Sequence, residues 1–173
     1  MAKKMLVAYF SKTGSNYYKG SIIKLDFGNT EKCAQMIQSE FSADLFRVER
    51  TSDYPDEYQL CVNEAGHEFN EQVLPPLKEN LKNLEDYDVI VVGYPNWYNT
   101  MPKPVWTFLS QHNFKDKMIL PFCTHEGSGL GTSVKDIKKL CPTSIIKPGL
   151  AIKGSQVDQS QSQLLNWVKE NSV

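Results

Sequence analysis

Apolar positions along this chain fall into two alternating patterns. Short, nearly continuous apolar runs suggest strands covered on both faces, and stretches of three- and four-residue spacing suggest helices. Met5-Leu6-Val7-Ala8-Tyr9-Phe10 is the first run. Residues 29–41 follow with Cys33, Ala34, Ile37 and Phe41 at helical spacing, and Leu45–Val48 reads as a second strand. Cys61, Ala65, Phe69 and Val73 form a four-residue stripe that predicts a helix over 56–73. Val89-Ile90-Val91-Val92-Gly93 is short, β-branched and uncharged, which places it centrally in a sheet. A helix is expected over 103–111, a strand over Met118–Cys123 and a helix over 132–140. Ile145-Ile146 and Leu150-Ala151-Ile152 share a fifth strand interrupted by Pro148-Gly149, and Leu164, Leu165 and Val168 mark a closing helix.

Five strands alternating with helices define an α/β domain of three layers, with a parallel sheet between helices and right-handed crossovers. The 173 residues suit a single domain spanning 1–173. Hydrophobic residues at 40% and charged residues at 23% are ordinary for a globular chain. The formal net charge of -1 and the absence of a basic face argue against a nucleic-acid partner. Lys135, Lys138 and Lys139 read as the solvated side of a helix. No apolar stretch has the length of a membrane span, and the stretch after Lys3-Lys4 is too short for a signal peptide, so a cytoplasmic location is expected. Cys33, Cys61, Cys123 and Cys141 are widely spaced and read as reduced, buried thiols. No His and Cys cluster has metal-ligand spacing, so no metal is expected.

In open sheets of this kind, ligands bind beyond the carboxyl ends of the strands, near the switch in strand order. The loops there hold the unusual residues. After the first strand comes Ser11-Lys12-Thr13-Gly14, and the next helix opens at Gly28-Asn29-Thr30. Hydroxyls, an amide and glycine at a helix N-terminus suit an anion, although Asn29 or Thr30 would equally serve as a cap. The spacing of Gly14, Gly20 and Ser21, with no lysine between the last two, does not make a Walker loop, and the dinucleotide glycine triplet is missing. After the third strand, Tyr94-Pro95-Asn96-Trp97-Tyr98 offers aromatic planes for stacking on a flat heteroaromatic ring. After the fourth, Thr124-His125-Glu126-Gly127-Ser128-Gly129 offers hydrogen-bond donors, with His125 and Glu126 as the weak candidates for proton transfer. A Cys123–His125 nucleophile pair is the poorer reading, because no third group accompanies it.

These segments, "LVAYFSKTG", "GNTEKCAQMI", "EDYDVIVVGYPNWYNTMPKPVWTFL" and "PFCTHEGSGLGTSVKDIKKLCP" among them, together resemble the flavodoxin family, specifically bacterial flavodoxin-like proteins with a Thr-His-Glu-Gly-Ser-Gly loop. The resemblance runs from the first strand to the fifth. It implies a five-stranded parallel sheet of order 2-1-3-4-5 and one flavin mononucleotide (FMN) per chain. The FMN phosphate would meet Ser11, Thr13, Gly14, Asn29 and Thr30. The isoalloxazine would lie against Pro95, Asn96, Trp97 and Tyr98, and against Thr124, His125, Glu126, Gly127, Ser128 and Gly129.

Three departures from the family pattern stand out. Residues 15–28 intervene where most flavodoxins run straight on, so either Gly14 or Gly28 takes the usual glycine position; Ile22–Phe27 alternates loosely, as a hairpin arm would. Asn96-Trp97-Tyr98 replaces a more aromatic stretch. The charge of -1 is small for an electron carrier that steers toward basic partners. The resemblance therefore implies an FMN-dependent protein reducing a small acceptor such as a quinone with NAD(P)H, or else a one-electron carrier working between redox proteins.

Overall fold

A computed structural model describes residues 3–173. The first strand, β1 (Met5–Tyr9), is followed by a hairpin of β2 (Gly14–Tyr18) and β3 (Ser21–Leu25). Helix α1 (Asn29–Phe41) and strand β4 (Asp44–Arg47) come next, then α2 (Tyr58–Asn70) and β5 (Val89–Pro95). The chain closes through α3 (Lys103–Gln111), β6 (Met118–His125), α4 (Ser133–Leu140), β7 (Ile145–Ile146), β8 (Leu150–Lys153) and α5 (Gln161–Asn171).

The main sheet is parallel and runs β4-β1-β5-β6, with β7 and β8 sharing the far side of β6. With the hairpin set aside, this is the order 2-1-3-4-5. Its fifth place is split: β7 pairs with Met118 and Ile119, and β8 pairs with Phe122 to His125. Lys147, Pro148 and Gly149 occupy the gap. Proline has no N–H to donate to a ladder, so the strand cannot pair continuously there.

Alternate residues of the central strands feed two separate cores, as the strand period of two requires. Leu6, Ala8, Ile90, Val92 and Ile119 pack with Val105, Phe108 and Ile137 on one face. Met5, Val7, Val89, Val91 and Leu120 pack with Cys33, Ile37, Leu164 and Val168 on the other. Burial of each such side chain stabilises the fold by about 1.5–3 kcal/mol before entropy is counted. The three layers follow directly: α1 and α5 cover one face of the sheet, while α3 and α4 cover the other.

Several expected boundaries shift. The second sheet strand is Asp44–Arg47 rather than Leu45–Val48, although Val48 is buried just beyond it. Helix α2 stops at Asn70, so Val73 lies past its end and is exposed. The buried face of α2 consists of Cys61, Ala65, Gly66 and Glu68, and Phe69 is only half-buried. Strand β6 continues to His125 and so carries Thr124 and His125 on the sheet itself. The expected arm is a paired hairpin, with Gly14 opposite Leu25 and Tyr18 opposite Ser21. Its first strand, Gly-Ser-Asn-Tyr-Tyr, has no apolar pattern that would announce it.

Candidate functional site

A cavity of about 280 Å³ opens at the carboxyl ends of β1, β5 and β6. Ser11, Lys12, Asn29 and Thr30 form one end of it, and Pro95, Asn96 and Trp97 form a side. Thr124, His125, Glu126 and Ser128 face that side, and Asn16, Tyr17, Tyr58 and Gly154 complete the wall.

The first end is built by a close approach of two chain segments. Gly28 precedes α1, and a Cβ there would lie 2.1 Å from Ser11 Oγ and 2.8 Å from the Lys12 carbonyl. Only glycine lets the helix start so near the loop after β1. Ser11 Oγ accepts a hydrogen bond from the Glu31 N–H at 3.1 Å, so Ser11 acts as a cap supplied from another segment. Neither Asn29 nor Thr30 caps the helix; the N-cap position is Gly28. The N–H groups of Asn29 and Thr30, in the first turn, have no intrahelical acceptor and carry the positive end of the helix dipole. Thr30 Oγ1 meets Thr124 Oγ1 at 2.9 Å, both buried, which ties this end to β6. Arg47 braces the same loop from below: it donates to the Ser11 carbonyl at 3.3 Å and pairs with Glu31 at 3.0 Å.

The other walls are fixed mainly by hydrogen bonds between side chains and backbone. Asn96 N–H donates to the Thr124 carbonyl at 2.8 Å, its amide nitrogen donates to the Gly129 carbonyl at 2.8 Å, and its Oδ1 accepts from Asn99 N–H. Asn96 therefore joins the two loops rather than offering a free amide. Trp97 stands edge-on between Phe10 and Tyr54, with ring centroids 5.1 Å away in both cases. The Gly127 N–H donates to His125 Nδ1 at 2.9 Å, and burial holds the imidazole below its ordinary pKa, with Lys153 adding to the effect. Accepting at Nδ1 selects the neutral tautomer that carries its proton on Nε2. Glu126 Oε1 accepts from the Ser155 N–H at 2.7 Å, which makes it a strut to the turn after β8.

Ser11, Asn29, Thr30, Pro95, Asn96, Trp97, Thr124, His125, Glu126 and Ser128 come together around this cavity. Thr13, Gly14, Tyr98, Gly127 and Gly129 do not line it. Thr13 is exposed and faces a separate polar depression with Arg47, Asp53 and Lys78. Gly14 begins the hairpin beside Asp56, with φ +75°. Tyr98 turns toward α2, where its hydroxyl donates to the Val62 carbonyl at 2.7 Å and its ring stacks on Phe69.

Lys12, Asn16, Tyr17, Tyr58 and Gly154 are lining residues that the sequence reading missed. The hairpin brings in Asn16 and Tyr17, and no periodicity marks its first strand. Gly154 follows the fifth strand, so the carboxyl-end rule applied to that strand would have found it. Cys123 is buried and its thiol is pushed up to about 12 by burial, which makes it a poor nucleophile. Among the described residues all four cysteines are free, and no group of three His, Cys, Asp or Glu side chains is placed to hold a metal. No helix among them is long and apolar enough to cross a membrane.

The flavodoxin family model matches residues 4–171. The chain belongs to the flavodoxin family. A protein from Bacteroides eggerthii assigned to the flavoproteins is 26% identical to it, with a TM-score of 0.80 and 99% of each chain covered. A similar one from Bacteroides uniformis is 22% identical, with a TM-score of 0.75, covering 98% of this chain and 99% of that one. A flavoprotein of Lactobacillus acidophilus, solved in complex with FMN, is 21% identical, with a TM-score of 0.66, covering 91% of this chain and 98% of that one. No curated protein matches.

Proposed function

We propose that this protein binds FMN in the cavity at the strand ends and reduces a small acceptor such as a quinone at the expense of NAD(P)H. The donor set suits the cofactor. The phosphate would lie at the α1 N-terminus, held by Ser11, Asn29, Thr30 and the first-turn N–H groups, with Lys12 at the same end of the cavity. The ring would lie along Pro95, Asn96 and Trp97 and against Thr124, His125, Glu126 and Ser128, where His125 Nε2–H would be available as a hydrogen-bond donor. When bound, FMN would supply hydride relay between donor and acceptor. The balanced reaction is NAD(P)H + H⁺ + quinone → NAD(P)⁺ + hydroquinone. Residues 15–28 act in this reading as an insert on a single domain, walling the cavity through Asn16 and Tyr17.

One observation carries the choice of a small acceptor over a protein partner: a second, mostly apolar cavity opens directly off the first and shares Lys12, Asn16, Tyr58, Asn96 and Trp97 with it. A net charge of -1 gives little electrostatic steering toward a redox protein. The test is to purify the FMN-loaded protein and follow NADH and NADPH oxidation with menadione (2-methyl-1,4-naphthoquinone). Turnover well above that of free FMN supports the reading. Turnover equal to free FMN, with reduction in two resolved one-electron steps, would mark a carrier instead.

A further inference from the structure

The second cavity, about 270 Å³, lies between the hairpin, the first turns of α2 and the Trp97-Tyr98 loop. Cys61, Val62 and Ala65 form its α2 wall, and Trp97 and Tyr98 face them. Lys12 provides its one charge, and that ammonium is already engaged by the carbonyls of Thr13 at 3.2 Å and Ser15 at 3.1 Å. No carboxylate lines it.

The space is held open by specific contacts. Asn16 Nδ2 donates to the carbonyls of Lys12 at 3.1 Å and Gly14 at 3.0 Å, which locks the base of the hairpin. Glu57 caps α2 by accepting from the N–H groups of Gln59 and Leu60 at 2.9 and 2.8 Å. Tyr98 is drawn aside by its bond to the Val62 carbonyl, and its ring passes over Gly66, where a Cβ would lie 2.5 Å from the phenol oxygen. Tyr98 and Asn99 both hold positive φ, +53° and +66°, a conformation that costs non-glycine residues energy and is found at ligand clamps.

We propose that this slot is a second binding site, which takes an uncharged, flat compound of one or two fused rings and so seats the acceptor beside the FMN cavity. The apolar walls favour burial of a ring, and the Lys12 ammonium spends its donors on the backbone carbonyls of Thr13, Ser15 and Asp56 rather than aiming them at a phosphate or carboxylate. A nucleotide or an acidic peptide is therefore a poor fit. The Ser15 and Tyr58 hydroxyls supply donors for a ring carbonyl. The role as acceptor site rests on the FMN reading; the slot's capacity to bind a ring does not.

Menadione is the probe, titrated by calorimetry into the chain with and without FMN. Val62→Phe and Ala65→Leu fill the slot from α2, and Ser15→Phe fills it from the hairpin should an α2 variant fail to fold. The FMN-loaded chain is expected to bind menadione saturably, and each folded variant is expected to weaken that binding by about tenfold or more while leaving FMN affinity, read by flavin fluorescence, within about twofold. Unchanged menadione binding in the filled variants, or no saturable binding to the wild-type chain, overturns the slot proposal. Failure of the wild-type chain to bind FMN would instead overturn the functional reading, and the titration without FMN still decides the slot.

Discussion

Thr30 Oγ1 and Thr124 Oγ1 lie 2.9 Å apart, buried, although the two residues are 94 positions apart in the chain. This bond connects the N-terminus of α1 to the end of β6 and so ties the two ends of the cavity directly to each other. Thr30→Val removes one partner and leaves the Thr124 hydroxyl buried with its bond broken. The expected cost is about 1–3 kcal/mol, with Tm falling roughly 2–4 °C for each kcal/mol in a chain of this size. The double variant Thr30→Val/Thr124→Val is expected to recover part of that loss, because no unpaired hydroxyl remains. Urea denaturation of the single and double variants checks this; two additive losses would show that the bond is not the coupling.

Asn29 and Thr13 separate two versions of the phosphate cradle. The family pattern pairs them, yet here Asn29 lines the cavity and Thr13 faces a different depression. Asn29→Ala is expected to weaken FMN binding by about tenfold, the loss of one hydrogen bond to a charged group, whereas Thr13→Val leaves it within about twofold. Flavin fluorescence quenching measures both. Equal losses would return Thr13 to the cradle.

The helices α1 and α3 were legible from periodicity to the residue, because amphipathic spacing and the flanking Gly28 and Pro102 mark their ends. The split fifth strand was legible through Pro148-Gly149. Strand β2 was not, since Gly14–Tyr18 is a surface ribbon held by pairing with β3 rather than by burial, and pairing leaves no mark on hydrophobic pattern. Tyr98 misled for a related reason: adjacent aromatics in a loop do not reveal which one turns away, and only the space over Gly66 decides it. The buried pairing of Arg50 with Glu68 behind Tyr54 and Trp97 was invisible too, because it depends on how α2 docks against the segment after β4.

His125 makes stability depend on pH. Burial holds its folded pKa below the ordinary value near 6.5, so below that value the unfolded chain binds more protons than the folded one. Its contribution is therefore neutral above about pH 6.5 and becomes destabilising as pH falls through the window between the ordinary and lowered pKa values. Protonation at Nδ1 also breaks the bond from Gly127 N–H. His125→Gln is expected to flatten the fall in urea midpoint between about pH 7.5 and pH 5.5. An identical fall in the variant would assign the pH dependence to other groups.

Arg50 and Glu68 form a buried pair that supports the aromatic wall. Arg50 Nη1 lies 2.7 Å from Glu68 Oε1, with side-chain exposures of only 8% and 6%, and Nη2 reaches Glu64. The guanidinium also lies 3.5 Å from the centroid of the Tyr54 ring, and the Tyr54 hydroxyl donates to the second oxygen of Glu68. Tyr54 in turn stands edge-on to Trp97. Arg50→Leu leaves Glu68 buried without its counter-charge, a change expected to cost about 3–5 kcal/mol. Adding Glu68→Leu removes the stranded charge and is expected to restore most of that stability. FMN affinity should follow a different course, because Tyr54 has lost both polar partners in the double variant and no longer fixes Trp97. A double variant that is stable yet binds FMN less tightly would locate the role of this pair in positioning the wall; one that recovers both stability and affinity would show Trp97 to be held by Phe10 alone.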